Sequence, residues 1–371
     1  MKIALLNIHF DEYSVQLANG LAKYVDLTLI QPEKLTAICK DKNVFDDRLR
    51  IVRFKKPRIR DPRNILAMGE MMRIIREANP DVLHVQETND FWYDLTLSFN
   101  KMPPLVTTIH DVFRHPGDRD LIPGSEYTRR IAFYRSQQLI VHANVLKDVL
   151  SKQFRLPLEK INVIPHGELG SLFQYFAGNQ VVSREPYTLL FFGRIWAYKG
   201  LKYLLQAIPL VAEQIPEVKL IIAGRGENVT ELLDEENKKR CEVLNGFIPF
   251  ASVAGLFQRS TVAVLPYIES SQSGVAAIAY ALGTPVIASN IGGLSEMIRH
   301  EQDGLLVPPC DVRALADAII RLLTNPKLQN QLKVAALERC QQDLNWSNIA
   351  AQTVEVYRRA ISTPNTSRVS L

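Results

Sequence analysis

The chain has 371 residues, 47% apolar and 22% charged, and a formal net charge of +5. A compact domain usually takes about 100 to 200 residues, so two domains with proper cores are expected. A positive excess this small suits an anionic substrate or an anionic membrane face and argues against a nucleic-acid partner. Cys39, Cys241, Cys310 and Cys340 are widely spaced with no metal-ligand or CxxC pattern, which reads as reduced thiols in a cytoplasmic protein. The apolar start at Ile3 soon meets Asp11 and Glu12, too short for a signal-peptide core, and no later run has the roughly 20 apolar residues of a membrane span.

In chain order, short runs rich in Val, Ile and Leu alternate with helical stretches, the pattern of parallel sheets covered by helices. The first runs are Ile3 to Ile8, Val25 to Ile30, Arg50 to Phe54, Val82 to Val85, Leu105 to Ile109, Leu139 to Ala143 and Ile161 to Ile164. His9 and Asp11 follow the first run, and a polar pair in a loop is their default reading. Arg48, Arg50, Arg53, Lys55, Lys56, Arg58, Arg60 and Arg63 crowd one stretch, read first as a solvated edge strand and second as a peripheral membrane contact. His110-Asp111 ends the fifth run, where a histidine at a strand's carboxyl end faces a ligand more readily than one in a core. The Asp118-Arg119-Asp120 triplet lacks a flanking strand and reads as chance, and His142 and His166 read as structural.

A polar segment, Gly178-Asn179-Gln180 with Ser183 to Pro186, puts a domain boundary near residue 180. Six further runs follow: Thr188 to Phe192, Lys219 to Ala223, Val243 to Phe247, Val262 to Pro266, Pro285 to Ser289 and Leu305 to Val307. Asp311 can cap a helix to about Leu323, and further helices follow Pro326 and Ser347. The reading is therefore α/β, with two Rossmann-like domains at 1–180 and 181–345 and a final helix and tail at 346–371. Ligands of such sheets bind beyond the carboxyl ends of the strands.

Three blocks in the second half carry chemistry. Leu189 to Phe192 leads into Gly193-Arg194 and Lys199-Gly200, where a guanidinium and an ammonium suit a diphosphate. Gly224-Arg225-Gly226-Glu227 is a glycine turn but no dinucleotide fingerprint, since Val229 stands where a third glycine would. Leu265 to Pro285 is a polar loop opening a small-residue helix near Gly274, where the amides of Ser273, Gly274 and Val275 can meet phosphate or sugar oxygens.

The block FFGRIWAYKGLKYLLQAI resembles the G-R-x(4)-K-G block of the retaining family 4 glycosyltransferases. The resemblance implies the GT-B fold, two Rossmann-like domains facing a central cleft, with the domain at 1–180 on the acceptor side and that at 181–345 on the donor side. It also implies that Arg194 and Lys199, at Gly193, contact the diphosphate of a nucleotide-sugar donor. It places the base against Gly226 and the Asn245-Gly246-Phe247-Ile248 stretch, gives His110 a position facing the transferred sugar, and makes the closing helix pack back on the first domain. Val286 to Glu296 resembles the family's strand and Gly-Gly-x-x-Glu turn, with Glu296 as a helix brace. The family's two glutamates, eight positions apart, fall on Ser270 and Ile278 when counted back from Gly283 and Pro285. A one-residue insertion gives Glu269 the first role, beside the transferred sugar, and leaves the ribose-holding role without a carboxylate.

The function so implied is transfer of a hexose-like sugar, with retention, to a hydroxyl of a glycan, lipid-linked or small-molecule acceptor, without metal or cofactor. His110, Glu269, Arg194 and Lys199 are the catalytic candidates. The alternatives are a sugar-nucleotide epimerase, which lacks the carboxylates it needs, and a catalytically silent sugar-nucleotide-binding subunit.

Overall fold

The computed structural model describes residues 1–33, 36–99, 101–112, 126–178, 180 and 182–363. The Asp118-Arg119-Asp120 triplet, and Asn179 of the polar segment, lie outside these residues. The chain folds into two compact units, the first running to Pro165 and resuming at Trp346, the second spanning His166–Asn345. The polar segment around residue 180 lies within the second unit.

The first unit holds a seven-stranded parallel sheet, β1 (Lys2–Leu6), β2 (Asp26–Pro32), β3 (Arg50–Phe54), β4 (Val82–Gln86), β5 (Leu105–Thr108), β6 (Gln138–Val141) and β7 (Ile161–Val163), in the order β3-β2-β1-β4-β5-β6-β7. The second holds six parallel strands, β8 (Thr188–Phe192), β9 (Lys219–Gly224), β10 (Cys241–Asn245), β11 (Val262–Leu265), β12 (Val286–Ser289) and β13 (Leu305–Val307), in the order β10-β9-β8-β11-β12-β13. All thirteen expected runs are strands. The central ones are buried on both faces, which is why they read as unbroken apolar runs.

In each sheet the strand order reverses once, between β1 and β4 and between β8 and β11. Loops leaving neighbouring strands diverge at such a switch point and open the crevice that ligands use in this architecture. The loops after β8 and β11, and those after β1 and β4, are therefore where each unit can hold a ligand.

The helix Leu201–Ala212 follows the β8 loop and buries Leu204, Leu205, Ile208 and Val211 against the second sheet. The final helix, Trp346–Ser362, buries Trp346, Ile349, Ala350, Thr353, Val356, Tyr357 and Ala360, a stripe at helical spacing. That stripe packs within the first unit against the helix Asp11–Leu21, and a Cβ at Gly20 would stand 2.6 Å from the Trp346 carbonyl oxygen.

The basic stretch divides in two. Arg50–Phe54 is indeed an edge strand, β3. Beyond it Lys56 turns inward to Asp90 (2.8 Å), whereas Arg53, Lys55, Arg58, Arg60 and Arg63 stay exposed, next to the exposed Ile65 and Leu66.

Candidate functional site

The loop after β8 is held on both flanks by main-chain contacts. On one side, Gly193 N–H donates to Ala223 O (2.9 Å), Ile195 N–H to Arg225 O (2.8 Å) and Glu227 N–H to Ile195 O (2.8 Å), so β8 and β9 stay paired past their ends. Ile195 forms a parallel bridge with Gly226, and Glu227 Oε1 accepts from Ala197 N–H at 3.1 Å. Gly224 has φ 153°, and a Cβ there would sit 1.7 Å from the Gly193 carbonyl oxygen, so only glycine permits this approach. On the other flank Ile268 N–H donates to Tyr198 O (2.8 Å). There Gly200, at φ 69°, lies so close to Pro266 that a Cβ would stand 1.8 Å from its carbonyl oxygen.

This frame carries the two cations. Arg194 is exposed, and Lys199 ends the short 3-10 turn Ala197–Lys199 with its Nζ 3.7 Å from the centroid of the Tyr267 ring and 4.9 Å from that of Tyr198. An ammonium over a buried aromatic face is attracted to it and aimed by it. Tyr267, just beyond β11, is buried, and burial pushes its phenol up to about 12 against the opposing influence of Ser273 and of the Arg194 charge. Arg194, Lys199 and Ser273 thus gather around one tyrosine. A Cβ at Gly193 would meet Val275 Cγ2 at 3.4 Å, which brings the helix Gly274–Ala281 to the same place.

Ser273 caps that helix, its side chain accepting from Ala276 N–H at 3.3 Å. Gly274 lies against Leu169 and His166, whose Cε1 a Cβ would meet at 4.0 Å. Ile278 and Ala277 are buried in the core, and Gly170 packs on the Ile278 carbonyl. The helix GVAAIAYA therefore offers no carboxylate at either register. Glu269 is exposed in the preceding loop, where Ser270 O accepts from Gly293 N–H at 3.3 Å. Glu296 stands in the one-turn helix Leu294–Met297, and its carbonyl accepts from Arg339.

Phe247 and Ile248 fall past the end of β10, not within it. The strand begins at Cys241, whose pairing with Leu220 fixes the register, and it ends at Asn245. Phe247 is consequently 72% exposed, edge-on to Phe250. Gly246 N–H donates to Gly224 O (2.8 Å) and Asn245 Nδ2 to Glu227 O (3.0 Å), so this loop adjoins Gly226.

In the first unit, His110 lies two residues beyond β5, buried, with its ring stacked on Phe10 at 3.8 Å and edge-on to Tyr13 at 4.8 Å. Its Nε2 meets Gln86 Oε1 at 2.9 Å, and Glu87 Oε2 accepts from its backbone N–H at 3.1 Å. Glu87 is itself buried and paired with the buried Arg129, which also donates to the carbonyls of Asp111 and Val112. Burial pushes the Glu87 carboxyl up while the Arg129 charge pulls it down. Asp11 braces its own neighbourhood, with Asn7 Nδ2 and Thr36 Oγ1 donating to its two oxygens at 2.8 and 2.9 Å. His9 is exposed, and His142 Nδ1 meets the Ile164 carbonyl at 2.9 Å.

Comparison with known proteins fixes the family. The family described as glycosyl transferases group 1 matches residues 186–325, and a second described as glycosyl transferase 4-like matches residues 2–143. The glycogen synthase of Mycobacterium tuberculosis is 30% identical over 298 residues, 77% of this chain and 70% of that protein. The chain belongs to the group 1 glycosyltransferases. An uncharacterised glycosyltransferase of Methanocaldococcus jannaschii is 29% identical over 79% of each chain. Among solved structures, the sucrose-phosphate synthase of Thermosynechococcus elongatus superposes with a TM-score of 0.73 at 22% identity over 97% of this chain and 99% of its own. Anabaena HepE, solved with UDP and glucose, does so with a TM-score of 0.69 at 18% identity over 96% and 99%. At such identities the likeness carries the GT-B fold alone.

Within this glycosyltransferase the second unit brings Gly193, Arg194, Lys199, Ser273, Gly274 and Val275 into one cluster, with Gly226, Phe247 and Ile248 grouped on the far flank of the same loop. Chemically the cluster offers two cations, a capped helix start and main-chain amides, a set suited to anionic oxygens. Tyr267 and Gln86 were not singled out from sequence, although each stands at a strand's carboxyl end beside a residue that was. Among the described residues no group of three or more His, Cys, Asp or Glu could hold a metal ion, and no helix is long and apolar enough to cross a membrane.

Proposed function

We propose that this glycosyltransferase moves a sugar from a nucleotide-sugar donor to a hydroxyl acceptor, glycan, lipid-linked or small molecule, with retention of the anomeric configuration. The observation that carries the reading is the pair Arg194 and Lys199 on a glycine-clamped loop beside the start of the helix Gly274–Ala281. Both cations offset the charge that grows on the departing diphosphate. The bond from the anomeric carbon to the phosphate oxygen breaks, the bond to the acceptor oxygen forms on the same face, and the acceptor's proton passes to the leaving phosphate. No separate base or metal is needed. Glu269 and His110 orient the sugar in this reading, and Gly226, Phe247 and Ile248 line the base. The sequence relative named glycogen synthase and the fold relative solved with UDP and glucose support a nucleotide-sugar donor.

A panel of labelled sugar nucleotides tests this. One donor is turned over in the presence of EDTA, and Arg194→Ala and Lys199→Ala each lower kcat/KM by on the order of 10² to 10³. Donor binding without turnover, unaffected by either change, would leave a silent binding subunit and sink the enzymatic reading.

We further infer a peripheral membrane contact through Arg53, Lys55, Arg58, Arg60 and Arg63, with Ile65 and Leu66 entering the interface, because exposed cations beside exposed aliphatics complement an anionic lipid surface. Co-sedimentation with phosphatidylglycerol vesicles, lost in high salt, is the expected result; equal binding to phosphatidylcholine, or none to either, overturns it.

A further inference from the structure

A chain of buried side chains in the first unit runs from the final helix to His110. The Tyr357 hydroxyl meets His84 Nδ1 at 2.6 Å, and His84 Nε2 lies 2.8 Å from Thr108 Oγ1 and 3.4 Å from Gln86 Nε2. Gln86 Oε1 in turn lies 2.9 Å from His110 Nε2. Tyr357, His84, Thr108, Gln86 and His110 are all at most 1% exposed, so their polar atoms must satisfy one another.

Donor and acceptor chemistry sets the direction of the chain. Burial drives the His84 imidazole down to about 3, so the ring is neutral and only one of its nitrogens carries hydrogen. The Gln86 amide nitrogen can only donate, so His84 Nε2 accepts and Nδ1–H donates to the Tyr357 oxygen. The other end of Gln86 is a carbonyl, which can only accept, so the His110 nitrogen facing it bears hydrogen. Reversing the arrangement requires Gln86 to turn its amide over and His84 to exchange tautomers together.

We propose that Gln86 is a positioning residue for sugar transfer: it fixes the His110 ring with hydrogen on Nε2, and is itself fixed through His84 by Tyr357. The catalytic consequence rests on the reading that His110 faces the transferred sugar. The stacking of His110 on Phe10 sets the ring plane, and Gln86 sets its tautomer.

The test uses the full chain labelled with ¹⁵N-histidine. Long-range ¹H–¹⁵N correlation near neutral pH reads each ring's tautomer, and His110→Asn identifies the His110 signals. The Nε2-protonated pattern is expected for His110 in the unaltered chain, and a mixture of tautomers in the near-isosteric Gln86→Met. The same variant lowers kcat by about tenfold with donor KM changed less than about threefold. Gln86→Glu, whose carboxylate also accepts, keeps the Nε2-protonated pattern, a rescue that a packing role alone would not give. Tyr357→Phe lowers kcat in the same direction by a smaller factor. An Nδ1-protonated His110 in the unaltered chain, or the same pattern in Gln86→Met, overturns the proposal. Full activity of His110→Asn, together with tautomer mixing in Gln86→Met, removes the role of His110 in transfer while the hold of Gln86 on the ring stands.

Discussion

The loop after β8 and the segment after β5 both carry candidate site residues, and they are held by opposite means. Around Arg194 and Lys199 the loop contacts at Gly193, Ile195, Glu227 and Ile268 are main chain to main chain, with the Arg194 side chain exposed and Lys199 half-buried, its ammonium over the Tyr267 ring. Around His110 the fixing contacts are side chains: the buried Gln86, Glu87 with Arg129 and Tyr13, and the half-buried ring of Phe10. Flexible charged side chains of this kind do little to fix a loop, so here the backbone does the positioning. A buried ring such as His110 can have its atoms defined individually by a packed polar network.

The comparison can be broken on either side. Gly224→Ala strikes the backbone-held loop: the added carbon collides with Gly193 O, and a destabilisation above about 5 kcal/mol is expected, read as loss of the cooperative urea transition or of soluble protein. A folded, stable Gly224→Ala protein would show that the two strand ends are not clamped as described. On the side-chain-held segment, Arg129→Met leaves Glu87 buried without its partner and should cost about 3 to 5 kcal/mol in urea unfolding. Glu87→Gln combined with Arg129→Met should recover much of that loss.

Acid sharpens the contrast. Burial holds His142 down to about 4 against 6.5 in the unfolded chain, and His84 lower still. Between these values the unfolded chain binds protons that the folded one refuses, so this stability is fully present above pH 6.5 and is lost as the pH falls toward 4. His142 alone contributes up to roughly 3 kcal/mol of that loss. Melting temperatures compared at neutral pH and near pH 5 should show a smaller drop in His142→Leu than in the unaltered chain, whereas Arg194→Ala should leave the drop unchanged.

Strand positions were legible in the sequence because parallel strands covered on both faces leave unbroken apolar runs. The exception is instructive: Val243 to Phe247 reads as a strand, yet β10 is a half-exposed edge whose register comes from β9, so the strand slips to Cys241–Asn245 and releases Phe247 to solvent. The glycines and cations of Gly193 to Gly200 were legible as a local motif. Tyr267 under Lys199, Gln86 beside His110 and Arg129 against Glu87 were not, since each pairs residues far apart in the chain that only the fold brings together. The apolar character of the helix Gly274–Ala281 was readable, and the structure adds its physical meaning, because Ile278 faces the core and leaves no space for a carboxylate there.

The return of Trp346–Ser362 to the first unit has a consequence for biosynthesis. A ribosome that has released Pro165 has not released a finished first unit, because the stripe that covers Gly20 and completes the Tyr357–His84 contact is made only after His166–Asn345. The stretch His166–Asn345 emerges whole and can complete its core while the earlier half still lacks a wall. Closing contacts more than 300 positions apart, such as Lys23 with Ser347, is slower than forming local ones. The half translated first is thus the half that matures last, and a nascent chain stalled before Trp346 would expose the face of the helix Asp11–Leu21 that the finished protein hides.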